Sequence, residues 1–277
     1  MKPLLLSLLI TSVLMASMPT TVQASNDAVY TIGVVPQFHS RKMVSIWKPI
    51  LTLVEKKTGL KLKLAGPPSI QAFEKDFMAG EFDFAYMNPY HILLAHESEG
   101  YIPLIRDTGR ALQGVLVVRH DDDINSVSDL NGKTFAFPAP NALGASLMIR
   151  AELTDAFKID FSPEYVNTHT SVYLNVALGQ AAAGGGVQNT FNRQSEDVRS
   201  VLKIIHRTAK VPPHPLVVHP RVPENVRQAI TNAFLDLGKS EHGKMLLKKI
   251  PIKNIGQASI EEYLPLAEFK LNRFYQN

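Results

Sequence analysis

Apolar positions recur along this chain with two periods, and the two alternate. Residues 29–35 form an apolar run ended by Pro36, which reads as a strand. Over 40–58, Met43, Ile46, Trp47, Ile50, Leu51 and Val54 share one helical face, and Gly59 follows where a helix ends. Trp47, on that apolar face, is a core residue. Residues 60–64 alternate leucine with lysine, a strand pattern. Ser69 then caps a helix carrying Ile70, Phe73 and Phe77, stopped by Gly80. A strand over 82–86, a helix over 90–97 and a strand over 101–105 complete a β-α-β-α-β-α-β series. Such alternation predicts a largely parallel sheet with helices on both faces.

The pattern then starts again. Residues 114–118 and 134–137 read as strands, with a polar stretch (121–129) and an Asp129-Leu-Asn-Gly-Lys133 turn between them. Pro138-Ala-Pro-Asn-Ala-Leu-Gly144 leads into a helix that runs to about Phe157. A strand lies at 165–166, and Ser171 caps a helix over 172–178 ended by Gly179. The run Ala181-Ala-Ala-Gly-Gly-Gly186 fits no period: it is a flexible turn or a place where backbone approaches a ligand closely. Residues 202–206 form another strand. Three prolines in Val211-Pro-Pro-His-Pro215 make a stiff linker that cannot pair in a ladder. A strand at 216–219, helices over 224–237 and 242–249, and a last helix opened by Ser259 follow. The expected organisation is a leader over 1–24, one lobe of 25–117 plus 214–277, and a second lobe of 118–213. Two crossings between lobes leave a cleft, and hinge closure around a ligand is the expected motion.

Composition narrows the function. The chain has 277 residues, 45% hydrophobic and 19% charged, which is globular. Lys2, the apolar stretch 4–15 and Val22-Gln23-Ala24 match an export signal with cleavage before Ser25. The stretch is far short of the ~20 apolar residues that span a bilayer. With no cysteine, disulfides, thiolate ligands and an N-terminal lipidated cysteine are all excluded, so a soluble periplasmic protein is expected. The net charge of +4 suits an anionic ligand and equally an ordinary solvated surface. No basic run is dense enough for nucleic acid.

The candidate chemistry is that of a binder. In open α/β sheets ligands sit outside the carboxyl ends of strands. Tyr86, Asn88 and Tyr90 stand at one such end, and Gln37, Phe38 and His39 at another; core packing is an equal alternative for Tyr86. Gly144-Ala-Ser146-Leu-Met lacks the second glycine of a nucleophile elbow, and no phosphate-cradling or dinucleotide loop is present. His214 and His219 have no third ligand nearby, and Asp121-Asp-Asp123 lacks the alternate spacing of a calcium loop. Neither an enzyme nor a metal or cofactor site is indicated.

Four segments, in order and spacing, resemble the periplasmic solute-binding proteins of phosphonate, phosphite and phosphate ABC transporters over about residues 29–238. They are Gly33-Val-Val-Pro36 with Trp47-Lys-Pro-Ile50; Gly80-Glu-Phe-Asp-Phe-Ala-Tyr86 with Asn88-Pro89; Asp129 to Lys133 with the helix start at Asn141; and His169 to Gly179 ahead of Val211 to Pro215. The resemblance implies a two-lobed type II binding-protein fold, α/β with two mixed, mostly parallel sheets. It implies a small anionic ligand in the cleft and a membrane ABC permease as partner. The alternative is a ligand-sensing subunit that signals to a membrane receptor. A monomer is expected.

The site departs from the family pattern. Where phosphonate binders carry hydroxyls at a helix start, this chain has Asn141, Ala142, Leu143, Gly144, Ala145 and Ser146. The backbone amides remain, and a helix N-terminus can still take an anion. Asn141 is either a cap alone or a cap that also touches ligand. His169 holds a matching position, as a donor to an anionic oxygen titrating near neutrality or as a plain loop residue. Ala182 stands near where the family carries an acid, and His214 near where another polar or acidic group is expected. A buried ammonium without a counter-charge is costly, so 2-aminoethylphosphonate is not the expected ligand.

Overall fold

The computed structural model describes residues 28–276; the expected export signal lies outside the described residues. Within them, strands β1 (Val29–Val34), β2 (Lys61–Ala65), β3 (Phe84–Tyr86) and β4 (Ile102–Asp107) alternate with helices α1 (Ser40–Thr58), α2 (Ile70–Met78) and α3 (Pro89–Glu99). Each helix has a visible start and stop. Ser69 Oγ accepts the Ala72 amide at 3.1 Å. Gly59 and Gly100 end α1 and α3 in the left-handed region, at φ of 72° in both cases.

The chain then crosses into β5 (Leu112–Arg119), β6 (Lys133–Phe137), α4 (Met148–Asp155), β7 (Phe161–Tyr165), α5 (His169–Ala177), β8 (Ala183–Val187), α6 (Gln188–Asn192), α7 (Glu196–Ser200) and β9 (Leu202–Val211). It crosses back through Pro212–Pro215 to β10 (Leu216–Val218), α8 (Glu224–Leu237), α9 (Glu241–Leu247) and β11 (Ile255–Gln257). The terminal segment is a series of 3-10 turns rather than the expected helix.

Two sheets result, ordered β11-β4-β10-β3-β1-β2 and β7-β6-β8-β5-β9. The β-α-β units give parallel pairs: β1 with β2 and β3, β6 with β7 and β8. The strands that flank the crossings run antiparallel: β10 with β3 and β4, β5 with β8 and β9. Both sheets are therefore mixed.

The run 184–186, read as a turn or a ligand approach, is strand β8, inside the second sheet between β6 and β5. Packing explains its glycines. A Cβ at Gly185 would stand 2.0 Å from Ala145 O, and one at Gly186 2.0 Å from the Tyr173 hydroxyl. Only bare backbone lets the segment before α4 and the ring of Tyr173 lie this close to the sheet. The core follows the same logic: Trp47 is 2% exposed, in a cluster with Ile50, Val54 and Phe84. A second cluster runs between the sheets, joining Phe73, Phe77 and Tyr90 to Leu143, Leu147 and Met148.

Candidate functional site

Two strand-to-helix connections meet at the interface of the lobes. In the first, β3 ends at Tyr86 and Asn88 caps α3. Asn88 Oδ1 accepts the amides of Tyr90 (2.8 Å) and His91 (2.9 Å). Its Nδ2 faces His91 Nε2 at 2.8 Å and Asn141 O at 3.4 Å. Both polar atoms of Asn88 are thus occupied by the protein itself.

In the second, β6 ends at Phe137 and the chain passes through Pro138 and Pro140 to a π-helical turn, Leu143–Leu147, that feeds α4. The expected helix therefore starts later and wider than its pattern suggests. No side chain caps the turn. Ser146 and Leu147 both donate to Ala142 O, at 2.7 and 3.1 Å, while the amides of Leu143, Gly144 and Ala145 have no acceptor among the described residues. These are the orphan donors of a helix start. Gly144 is required here: a Cβ would stand 2.6 Å from Leu112 Cδ2 and 3.0 Å from Val187 Cγ1.

Asn141 is turned away from this start. It is fully buried, and its Nδ2 donates to Glu74 Oε2 (2.9 Å) and Gln276 O (2.7 Å), while Oδ1 accepts from Gln276 N (2.9 Å). It ties α2, the second lobe and the chain end into one buried polar node. Ser146 is also fully buried, and its hydroxyl accepts from Arg150 Nε at 3.0 Å. Tyr90 packs in the core against Tyr275, ring centroids 5.9 Å apart. These three expected site residues do not reach the cleft lining.

The others gather around it. Gln37, Asn88, Ala142, Leu143, Gly144, His169 and His214 line one cavity between the lobes. Phe38 and Tyr86 line the adjoining cavity, which shares Gln37 and His214 with the first. His39 stands farther out, on a separate depression, and its Nδ1 accepts the Lys42 amide at the start of α1. Tyr86 is both lining and core: its hydroxyl donates to Ile250 O at 3.0 Å, and its ring stacks on His214 at 5.6 Å.

The Gln37 side-chain amide donates to His214 Nε2 at 2.9 Å, so His214 carries its proton on Nδ1. Burial, with the fields of His91 and His169 added, pushes His214 down to about 3. Burial alone pushes His169 down to about 4. Both rings are neutral donors near pH 7, so His169 does not titrate near neutrality as the sequence suggested. The first cavity contains no Lys, Arg, Asp or Glu among its lining residues. It offers dipoles alone: helix-start amides, Gln37, Asn167 and two neutral imidazoles.

Sequence reasoning missed Asn167, which lines the cavity in the left-handed region at φ 69°. It also missed Arg110 and Arg193, which line the adjoining cavity. A left-handed asparagine leaves a weak signal, a short polar residue before a helix cap. The arginines leave none, because they lie far apart in the chain. Among the described residues no three His, Asp or Glu gather as a metal site, and no helix is long and apolar enough to cross a membrane.

Comparison with known proteins identifies a family and a fold. The family of ABC-transporter phosphonate periplasmic substrate-binding proteins matches residues 32–263. The phosphate-import protein PhnD of Mycolicibacterium smegmatis is 25% identical over 182 residues, 60% of this chain and 56% of that protein. The match thus spans little more than half of the mycobacterial protein. The phosphonates-binding periplasmic protein of Escherichia coli is 22% identical over 253 residues, 86% of this chain and 75% of that protein. The structure of PhnD1 from Prochlorococcus marinus with methylphosphonate superposes with a TM-score of 0.80 at 16% identity, covering 88% of this chain and 98% of that one. At that identity the likeness speaks to the fold. None of these comparisons favours the sensing-subunit alternative.

Proposed function

The chain belongs to the family of periplasmic substrate-binding proteins of phosphonate ABC transporters, and on that premise we propose that it captures a small phosphonate-type oxyanion between its lobes and delivers it to a membrane permease. The observation that carries the reading is the uncapped helix start at Leu143, Gly144 and Ala145, facing a cavity without a carboxylate. Free amides and the positive end of the helix dipole favour an anion there. An acid in the lining would oppose it, and none is present.

The fold supports the remaining parts of the proposal. The crossings at 108–111 and 212–215 are the hinge, and closure buries the ligand between Gln37, His214 and the 143–145 amides. The closed pair of lobes then presents one surface to the permease. We further propose export to the periplasm, directed by residues 1–24, and action as a monomer without catalysis.

Thermal unfolding of the mature protein tests the reading. The panel is phosphate, phosphite, methylphosphonate, 2-aminoethylphosphonate and sulfate, each at millimolar concentration. Linkage stabilises by about 2.7 kcal/mol when ligand is at 100 times its dissociation constant. A rise with phosphate, phosphite or methylphosphonate is expected. No rise with any of them contradicts the reading.

A further inference from the structure

The cleft has a second end, and its chemistry is opposite to the first. Beyond the Gln37–His214 bond it widens into a cavity lined by Phe38, Tyr86, Arg110 and Arg193. Arg110 lies on the crossing after β4, and Arg193 follows α6 in the other lobe. Arg193 Nη2 donates to Lys248 O at 2.7 Å, and Nη1 lies 3.5 Å from Lys249 O. Carbonyls hold the side chain in place but do not neutralise it. Burial, and then the charge of Arg110, keep the Arg193 guanidinium below its ordinary value, so the two cations share one field.

Asp107 is the acid in this lining, and one carboxylate offsets only one of the two cations. It is 1% exposed, and its oxygens accept the amides of Gly109, Lys253 and Asn254, each at 2.9 Å. Arg110 Nε approaches it only to 3.9 Å. Two cations and one acid therefore line the cavity, which leaves it with an excess positive charge. The neighbouring dipolar end lacks any formal charge to balance an ionised ligand.

We propose that the Arg110–Arg193 end is a second anion subsite, and that the protein's solute is a small molecule with an oxyanion at one end and a second anionic group, such as a carboxylate, at the other. The inference rests on the oxyanion reading of the same cleft. Guanidinium groups suit a carboxylate because their planar forks match its two oxygens. An amine-terminated phosphonate would bring its ammonium towards two cations, which disfavours it; Ala182, before β8, lines neither cavity.

Titration calorimetry separates the two readings with propylphosphonate, 3-phosphonopropionate and 2-aminoethylphosphonate as probes. The carboxylate-bearing compound is expected to bind at least about tenfold more tightly than propylphosphonate, a difference of about 1.4 kcal/mol. Arg110→Gln is expected to abolish that preference, read as the ratio of the two affinities in the same variant, so that any change at the 108–111 crossing common to both ligands cancels. Arg193→Lys keeps a charge and is expected to retain part of the preference. Equal affinities in the parent protein, or a preference that survives Arg110→Gln, overturn the subsite and leave the oxyanion reading standing. Failure of all three phosphonates to bind overturns both.

Discussion

The two helix starts at the cleft are built from similar sequence and behave oppositely. Asn88-Pro89 opens α3 and Asn141-Ala142 precedes α4, each after a short buried strand. Asn88 turns inward and satisfies the first amides of its helix. Asn141 turns away to Glu74 and Gln276, and the amides that follow it stay free. A cap stabilises a helix by occupying the donors that an anion would use. The same residue type therefore closes one site and, by leaving, opens the other.

The comparison can be broken hardest at Gly185. Gly185→Ala places a methyl 2.0 Å from Ala145 O and forces the 143–147 turn off the sheet. The expected loss of stability is about 3 kcal/mol, at the top of the usual overpacking range. Chemical denaturation measures it, and oxyanion binding should disappear with it. Ala142→Asp sharpens the comparison by giving the second start the cap it lacks. Its carboxylate would occupy the 143–145 amides, and since like charges in close juxtaposition cost several kcal/mol, oxyanion affinity should fall at least about tenfold by calorimetry. A variant that binds normally would place the anion elsewhere.

Asn88→Ala probes the closed site. Loss of a cap costs about 1 kcal/mol, so the melting temperature should drop while oxyanion affinity stays within about threefold, given that both polar atoms of Asn88 are bonded internally. A large loss of affinity would show that Asn88 reaches the ligand. The smallest effect concerns pH. His169 and His214 are held at about 4 and about 3 in the folded protein, below an unfolded value of about 6.5. The unfolded chain then binds more protons below about pH 6.5, so the stability these residues contribute is full above that pH and is lost as pH falls towards 4. Melting temperatures should be flat with respect to these rings from about pH 7 to 8 and fall below about 6.5. His214→Asn should make the fall shallower.

Much of the fold was legible because period and caps agree. Residues 40–58 and 224–237 match α1 and α8 at both ends, since apolar spacing and flanking residues point the same way. Strand β8 was not legible, because its glycines serve close packing by residues distant in sequence and erase strand propensity. The start of α5 moved back from Ser171 to Thr168, whose Oγ1 accepts the Ser171 amide at 3.0 Å. Helices α6 and α7 have five residues each, too few to show a period. In the site, Gln37, His169 and His214 could be suggested by position after a strand or linker. The direction of Asn141 could not, because it is set by Glu74 and by the chain end at Gln276. Arg110 and Arg193 become neighbours only when the lobes meet.

Amide chemical shifts test the central claim most directly. Titrating the isotope-labelled mature protein with methylphosphonate should move the amide protons of Leu143, Gly144 and Ala145 downfield as they take an acceptor, and leave those of Tyr90 and His91, already bonded to Asn88, nearly unmoved. Shifts concentrated at Tyr90 and His91, or saturable binding that leaves all three amides unmoved, would contradict the assignment of the uncapped helix start as the oxyanion site.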